Sequence, residues 1–257
     1  MKLNNIMRAL FLLIYMMSPL LTHADSPADD LFIKGNNYYA KGAYKEALHT
    51  YKKIITTGNQ SGAIYFNMGN ASYKLGDIPS AVLYYEKAHR ILPGDDDINF
   101  NLAFANSKTG DKIEEVPEFF ISTWWKSVYL SYSASTFAAI SIVLVLLGSA
   151  FLILYFFAYS SVIKRYAFYT AIVFFFLGLF TVFITSRQVN YFEDHKEAIV
   201  FSSPVTVKSA PADQSRSLFI IHEGTKVNIL DSNNGWMKIK LGNGNVGWMK
   251  SSDLKEI

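Results

Sequence analysis

The side chains that most often carry catalysis are scarce and scattered in this chain. There is no cysteine, which excludes thiol chemistry, disulfides and cysteine metal sites. Histidines stand far apart, at positions 23, 49, 89, 195 and 222, and no metalloprotease motif, P-loop or Gly-x-Ser-x-Gly motif occurs. Gly242-x-Gly244-x-x-Gly247 matches a dinucleotide-binding pattern, but the ten residues after it cannot form the required helix and strand. We therefore predict a protein that is not an enzyme and holds no cofactor or metal.

Identical residues recur thirty-four positions apart in the N-terminal part of the chain. The pairs are Phe32/Phe66, Gly35/Gly69, Asn36/Asn70, Tyr39/Tyr73, Gly42/Gly76, Ala47/Ala81, Tyr51/Tyr85 and Lys53/Lys87. Thirty-four is the period of the tetratricopeptide repeat (TPR), a pair of antiparallel helices, and residues 65–93 resemble that family's pattern. We predict an all-α TPR domain over residues 25–116, with repeats at about 28–61 and 62–95 and a closing helix at about 96–109. The acidic run 95–97 is expected to cap that helix rather than to bind calcium.

The TPR resemblance implies a concave groove, lined by the first helix of each repeat, that binds extended peptides. At the matching positions, the groove would be lined by Phe32, Asn36, Tyr39, Phe66, Asn70 and Tyr73. The two asparagines can hydrogen-bond to a peptide backbone. The alternative is that the aromatic rings are packing residues and the asparagines face water.

Several apolar segments predict export and membrane insertion. Residues 1–24 combine Lys2 and Arg8 with an apolar run and a small final residue, which is typical of a signal peptide. Residues 134–158 and 166–187 are long enough to cross a bilayer, and neither carries an aspartate, glutamate, lysine, arginine or histidine before Arg187. The short segment 159–165 allows only an antiparallel hairpin, and the absence of charge at depth argues against transport. Close approach of the two helices is expected at Ala138, Ala139, Gly148 and Ala150.

The membrane topology follows from the export signal. With the N-terminal domain outside the cytoplasm, residues 159–165 become a cytoplasmic loop carrying Lys164 and Arg165, and both terminal domains lie in the periplasm. Residues 117–133 are rich in phenylalanine, tryptophan and tyrosine, so they are predicted to lie at the lipid headgroup level. The lipid bilayer is therefore an expected partner.

Residues 188–257 change to short β-rich runs separated by turns. Asn243-Gly244 is a favoured two-residue hairpin turn. The stretches 223–227, 235–239 and 244–249 resemble a bacterial SH3 (SH3b) domain, a small all-β barrel. Such domains bind cell-wall peptides or proline-rich segments, and the matching ligand surface would include Trp236 and Trp248. A purely structural or docking role for this domain remains the alternative.

The order of these modules resembles the E protein of the Bacteroides aerotolerance (Bat) operon family. A Pro-Glu-Phe-Phe stretch at 117–120 and the pair Trp124-Trp125 belong to the resemblance. It implies a Gram-negative inner-membrane protein that works with other Bat proteins, including von Willebrand A-domain membrane proteins and a MoxR-type ATPase. The family role is linked to oxygen tolerance and envelope stress.

The expected function is an inner-membrane-anchored periplasmic scaffold that binds envelope proteins or peptides through its TPR and SH3b modules. The alternative is a cell-wall sensor or tether that binds peptidoglycan through the SH3b domain. The 24 lysines and arginines nearly balance the 21 acidic residues, so nucleic acid is not an expected partner.

Overall fold

The computed structural model describes residues 27–114 and 116–257, which form α-helices followed by an antiparallel sheet. The predicted signal peptide, residues 1–24, lies outside the described residues. The helices are α1 (Pro27–Ala40), α2 (Tyr44–Thr56), α3 (Gly62–Lys74), α4 (Ile78–Ile91), α5 (Asp96–Asn106), α6 (Phe120–Tyr129), α7 (Ala134–Phe157) and α8 (Ser161–Asp194). Two compact units divide them: residues 133–189 form one, and residues 27–132 with 190–257 form the other.

Helices α1 to α4 form two antiparallel pairs, and α5 begins a third, which confirms the predicted helical repeats. Gly42 and Gly76 turn the chain between the helices of each pair with φ of 76° and 79°, which other residues rarely adopt. Asp77 and Asp95 cap α4 and α5, since each carboxylate accepts a hydrogen bond from a backbone N–H three residues later, at 3.0 Å. The run 95–97 therefore has the capping role that the sequence predicts.

The C-terminal sheet has seven strands in the spatial order β3-β2-β6-β5-β4-β1-β7, with every neighbouring pair antiparallel. The strands are β1 (Glu197–Val200), β2 (Val205–Lys208), β3 (Ser217–Ile221), β4 (Lys226–Asn233), β5 (Trp236–Lys240), β6 (Val246–Lys250) and β7 (Leu254–Glu256). Its core includes Ala198, Val207, Val227, Ile239 and Met249, all fully enclosed. The predicted all-β domain is confirmed.

Strand β1 is buried on both faces. Ala198 and Val200 point into the core of the sheet, and Ile199, which points the opposite way, is fully buried against α4 and α5. The residues that enclose Ile199 include Ala81, Val82 and Ala105, with the partly buried Phe201 and Ile257 beside them. The sheet therefore packs on the helices through an apolar contact.

A polar network surrounds this contact. The Lys226 ammonium lies 3.1 Å from a carboxylate oxygen of Glu86 on α4 and 3.1 Å from one of Glu197 on β1. Arg90 donates hydrogen bonds to the backbone carbonyls of Ile257, at 3.0 Å, and His195, at 2.6 Å. The charged side chains around the contact between helices and sheet therefore bind partners on its opposite side.

Asp111 ties the end of the helical domain to the β3–β4 turn. Its carboxylate accepts hydrogen bonds from the His222 backbone N–H at 2.6 Å, from His222 Nδ1 at 2.7 Å and from the Thr225 hydroxyl at 2.8 Å. Partial burial acts to raise the pKa of Asp111, but these hydrogen bonds outweigh it and hold the pKa below its usual value. The carboxylate therefore stays ionised at neutral pH.

Asp111 also lies thirty-four positions after Asp77. Where Asp77 begins the second helix of its repeat, the equivalent Asp111 binds the β domain. The sheet packs on α4 and α5 through Ile199 of β1. The β domain therefore packs on the last two helices of the repeat stack.

The other unit consists of α7 and most of α8, packed as an antiparallel pair. The Ser141 hydroxyl donates to the Gly178 carbonyl at 3.2 Å, and Phe151 stacks on Phe174 at 5.6 Å. Phe137, Ser141 and Gly148 are buried on one face of α7. Gly148 meets the partner helix as predicted. The same expectation was wrong for Ala138 and Ala139, which are exposed because Ala138 lies at the flank of the buried face and Ala139 on the opposite side of the helix.

Helix α8 is longer than its apolar stretch. It begins at Ser161, so Lys164 and Arg165 lie in its first turns, and it ends at Asp194, beyond Arg187. Polar residues continue a helix as readily as apolar ones, so the limits of an apolar run do not set the limits of the helix.

Candidate functional site

The predicted groove asparagines are bound to tyrosines of their own repeats. Asn36 Oδ1 accepts a hydrogen bond from the Tyr51 hydroxyl at 2.7 Å, and Asn70 Oδ1 accepts one from the Tyr85 hydroxyl, also at 2.7 Å. Asn67 joins the two repeats by donating to Asn36 Oδ1 at 2.9 Å. The amide nitrogens of Asn36 and Asn70 donate to no described residue. They remain as two donors at equivalent positions of α1 and α3.

The hydroxyls of Tyr51 and Tyr85 are protonated at neutral pH, and burial raises the pKa of both further. For Tyr51, burial raises the pKa to about 12. A protonated hydroxyl that donates to an asparagine must meet the oxygen of the carboxamide and not its nitrogen. Tyr51 and Tyr85 therefore fix the orientation of both carboxamides and leave the nitrogens available to a ligand.

The predicted groove phenylalanines, Phe32 and Phe66, are partly packed against tyrosines and partly exposed. The Phe32 ring lies 6.1 Å from that of Tyr51 and the Phe66 ring 5.9 Å from that of Tyr85, both tilted by 49°. The same tyrosines press on the glycine one turn further along, since a side-chain carbon at Gly69 would lie 2.6 Å from the Tyr85 ring. Both phenylalanines stay partly exposed, so packing and ligand contact are compatible roles.

Tyr39 and Tyr73 lie near the C-terminal ends of α1 and α3. The Tyr39 ring contacts that of Tyr44 at 5.2 Å, edge to face, and Tyr73 contacts Phe104 of α5 at 5.5 Å. The structure therefore brings the predicted residue Tyr73 together with an aromatic residue of α5, in the third repeat, that the sequence interpretation missed. The repeat period was the available signal, since Phe100, beside Phe104, follows Phe66 by thirty-four positions.

The predicted SH3b tryptophans share one face of the sheet. Trp236 on β5 pairs with Lys250 on β6, and Trp248 on β6 pairs with Lys238 on β5 and with Lys208 on β2. Both tryptophans are partly buried. The Lys250 ammonium lies 5.7 Å from the centre of the Trp236 ring and 2.8 Å from a carboxylate oxygen of Asp213. This face combines aromatic surface with several lysines, and it suits an anionic ligand.

Family comparisons identify both modules. A tetratricopeptide repeat model matches residues 62–95, and a bacterial SH3 domain model matches residues 203–255. No curated protein matches the chain significantly.

Two solved TPR structures resemble the chain at low identity. The Sgt2 TPR domain from Aspergillus fumigatus is 15% identical over 76% of this chain and 93% of its own, with a TM-score of 0.30. YrrB, described as a TPR protein with an unusual peptide-binding site, is 16% identical over 73% of this chain and 85% of its own, with a TM-score of 0.31. The family matches establish that this chain contains a tetratricopeptide repeat and a bacterial SH3 domain.

Proposed function

We propose that this chain is a membrane-anchored scaffold that binds peptide segments of envelope proteins in its TPR groove. The carrying observation is the pair of orientated carboxamides, because Asn36 and Asn70 present amide donors at repeat-related positions beside partly exposed rings. The backbone carbonyl groups of an extended peptide are not hydrogen-bonded within a helix or a sheet. Amide donors spaced along a groove can therefore bind them. The role is binding and not catalysis.

The anchor in this proposal is the α7–α8 hairpin. By length and composition, two helices among the described residues are able to cross a membrane: Ala134–Phe157 and Ser161–Asp194. In the most apolar 18-residue stretch of each helix, only 17% and 22% of the residues are buried, whereas the core helix of a soluble protein is mostly buried. Their outward apolar surface would be costly in water and favourable in lipid.

The partner class that we propose is other Bat proteins, including membrane proteins with von Willebrand A domains. Its support is the order of modules in the sequence, of which the TPR and SH3 parts match family models. The proposed location is the inner membrane of a Gram-negative bacterium, with both binding modules in the periplasm.

Changing Asn36 and Asn70 to aspartate together is expected to weaken partner binding at least about tenfold without unfolding the repeats. Aspartate keeps the oxygen that accepts from Tyr51 or Tyr85, but it lacks the amide donor. The measurement is crosslinking in native membranes from a photoreactive residue at position 74, at the end of α3, with position 52 on α2 as the control site.

The matched control is Asn37→Asp with Asn59→Asp, which adds the same charge at exposed positions. Unchanged crosslinks in the Asn36→Asp, Asn70→Asp chain would refute the groove assignment.

A peptidoglycan tether is the second candidate, favoured by the tryptophan and lysine face of the SH3 sheet. Indole rings stack on sugars, and lysines pair with the carboxylates of wall peptides. Sedimentation of the detergent-solubilised chain with purified peptidoglycan separates this candidate from the scaffold. If the chain is a tether, it should pellet with the peptidoglycan, and Trp248→Ala should abolish that pelleting.

The proposed topology predicts opposite results for two alkaline phosphatase fusions, because that enzyme is active only outside the cytoplasm. A fusion after Lys164 should be inactive, and a fusion after Ile257 should be active. A fusion of a cytoplasmic reporter at the same two positions serves as the control and should give the reverse pattern. Activity after Lys164 with none after Ile257 would invert the arrangement.

A further inference from the structure

Two phenylalanines on α5 are exposed, and Phe100 is far more exposed than its equivalents in the earlier repeats. Phe100 and Phe104 are 71% and 43% exposed, and their rings lie parallel, with centres 6.5 Å apart and planes within 2°. Phe32 and Phe66, at the positions equivalent to Phe100, are partly buried. An aromatic pair exposed to this extent has a cost in water unless another apolar group covers it.

The difference arises from how the third repeat ends. In the first two repeats, Tyr51 and Tyr85 of the second helix lie over the phenylalanine and press on Gly35 and Gly69. No such helix follows α5 in the third repeat, since the described residues 111–114 and 116–119 are not helical, and the sheet covers the Leu102 and Ala105 side of α5. Ala103, equivalent to the two glycines, is exposed. Among the described residues no aromatic ring takes the part of Tyr85 on Phe100.

We propose that Phe100, Ala103 and Phe104 receive an aromatic side chain of the bound peptide, which packs on Phe100 as Tyr85 packs on Phe66. This inference rests on the proposed function of the groove and adds a specificity site at its third repeat. Because Ala103 carries the carbon that Gly69 lacks, the ligand ring lies further from the helix than Tyr85 does.

The residue at the asparagine position of the third repeat, Phe104, determines which aromatic side chain of the ligand the site prefers. Tyr85 needs the Asn70 oxygen as acceptor for its hydroxyl, and the equivalent position in the third repeat is Phe104. A buried hydroxyl without an acceptor is unfavourable, so the site prefers phenylalanine to tyrosine.

Positive charge beside the site adds a preference for acidic neighbours. The Lys108 ammonium lies 5.1 Å from the centre of the Phe104 ring, and Lys74, thirty-four positions earlier, is exposed. The ligand is therefore a segment with a phenylalanine next to aspartate or glutamate.

The test is selection of random twelve-residue peptides, displayed on phage, by the full chain in lipid nanodiscs. We expect enrichment of sequences with phenylalanine beside an acidic residue. Phe100→Ser should weaken binding of the selected peptides about tenfold, as expected for loss of an aromatic contact. Phe104→Asn should restore an acceptor and shift the preference from phenylalanine toward tyrosine. Both substitutions are at exposed positions, so little change in stability is expected.

Three other outcomes would overturn the inference. Peptides that lose binding with Asn36→Asp and Asn70→Asp but keep it with Phe100→Ser would leave the groove function intact and remove the specificity site. No enrichment at all would remove both. Selected peptides that stay bound to a Phe100→Ser chain of altered oligomeric state would identify a second copy of the chain as the occupant.

Discussion

Replacing Ile199 by alanine is expected to lower the free energy of unfolding of the unit formed by the repeats and the SH3 domain by about 3 kcal/mol. Ile199 is fully buried, and it packs on α4 and α5 against Ala81, Val82 and Ala105. Truncation loses the transfer free energy of the removed carbons and leaves a cavity between two elements that cannot easily close it. For a unit of this size, the melting temperature should fall by about 6–12 °C.

The matched control is Ile220→Ala in the same sheet. Ile220 is 57% exposed, so the same substitution should change stability by less than about 0.5 kcal/mol. Thermal unfolding of the full chain in detergent gives the stability, and amide hydrogen exchange locates the effect. Ile199→Ala should accelerate exchange in α4 and α5, although the substituted residue lies in β1. Equal effects of the two substitutions would show that the sheet does not support the repeats.

Replacing Lys226 by methionine is expected to cost about 2–3 kcal/mol in the same unit. The Glu86 side chain is 4% exposed, and its two carboxylate oxygens lie 3.1 and 3.2 Å from the Lys226 ammonium. Removal of the lysine leaves that carboxylate buried without a counter-charge, which is the most costly way to break such a pair. The Lys226 side chain is 36% exposed, so we place the loss at the lower end of the range for buried pairs.

The pH dependence supplies an independent signature for Lys226. Burial acts to lower its pKa, but Glu86 and Glu197 outweigh that effect and raise the pKa above the ordinary lysine value. A raised folded pKa stabilises the protein fully below the unfolded value of about 10.4, and this contribution is lost as pH rises further. The native chain should therefore lose stability in alkaline solution, and Lys226→Met should show a smaller alkaline loss.

Two variants make this prediction specific. Lys240→Met, at an exposed position of the same sheet, should be nearly neutral. Adding Glu86→Gln to Lys226→Met should recover part of the stability, because no buried charge then lacks a partner. If the double variant is no more stable than Lys226→Met alone, the loss comes from packing and not from charge.

The sequence was sufficient for the parts of the fold whose pattern is local. The thirty-four-residue period predicts the two repeats. The first six of the seven strands are predicted by the short β-rich runs at 198–200, 205–207, 218–221, 226–230, 236–240 and 246–249. Strand β7 was missed because its three residues are too short to show an alternation. The docking of β1 was also missed, since Ala198-Ile199-Val200 has no polar face and its partner helix lies more than a hundred residues earlier.

For the candidate site, the sequence predicted positions but not their mutual contacts. Asn36 and Asn70 were identified by their repetition, whereas their bonds to Tyr51 and Tyr85 depend on how the second helix packs. The exposed site at Phe100 and Phe104 was missed for the same reason. Their exposure follows from the absence of a covering tyrosine, which only the tertiary structure reveals.

The burial of β1 on both faces also affects how a partner with two binding motifs would engage this chain. Flexibly tethered modules accept many spacings between the two motifs of a ligand, whereas two modules docked against each other accept only one spacing. A ligand of matching span would gain avidity from its second contact, and one of another span would gain none. Selectivity would then depend on the distance between two weak motifs as much as on the strength of either.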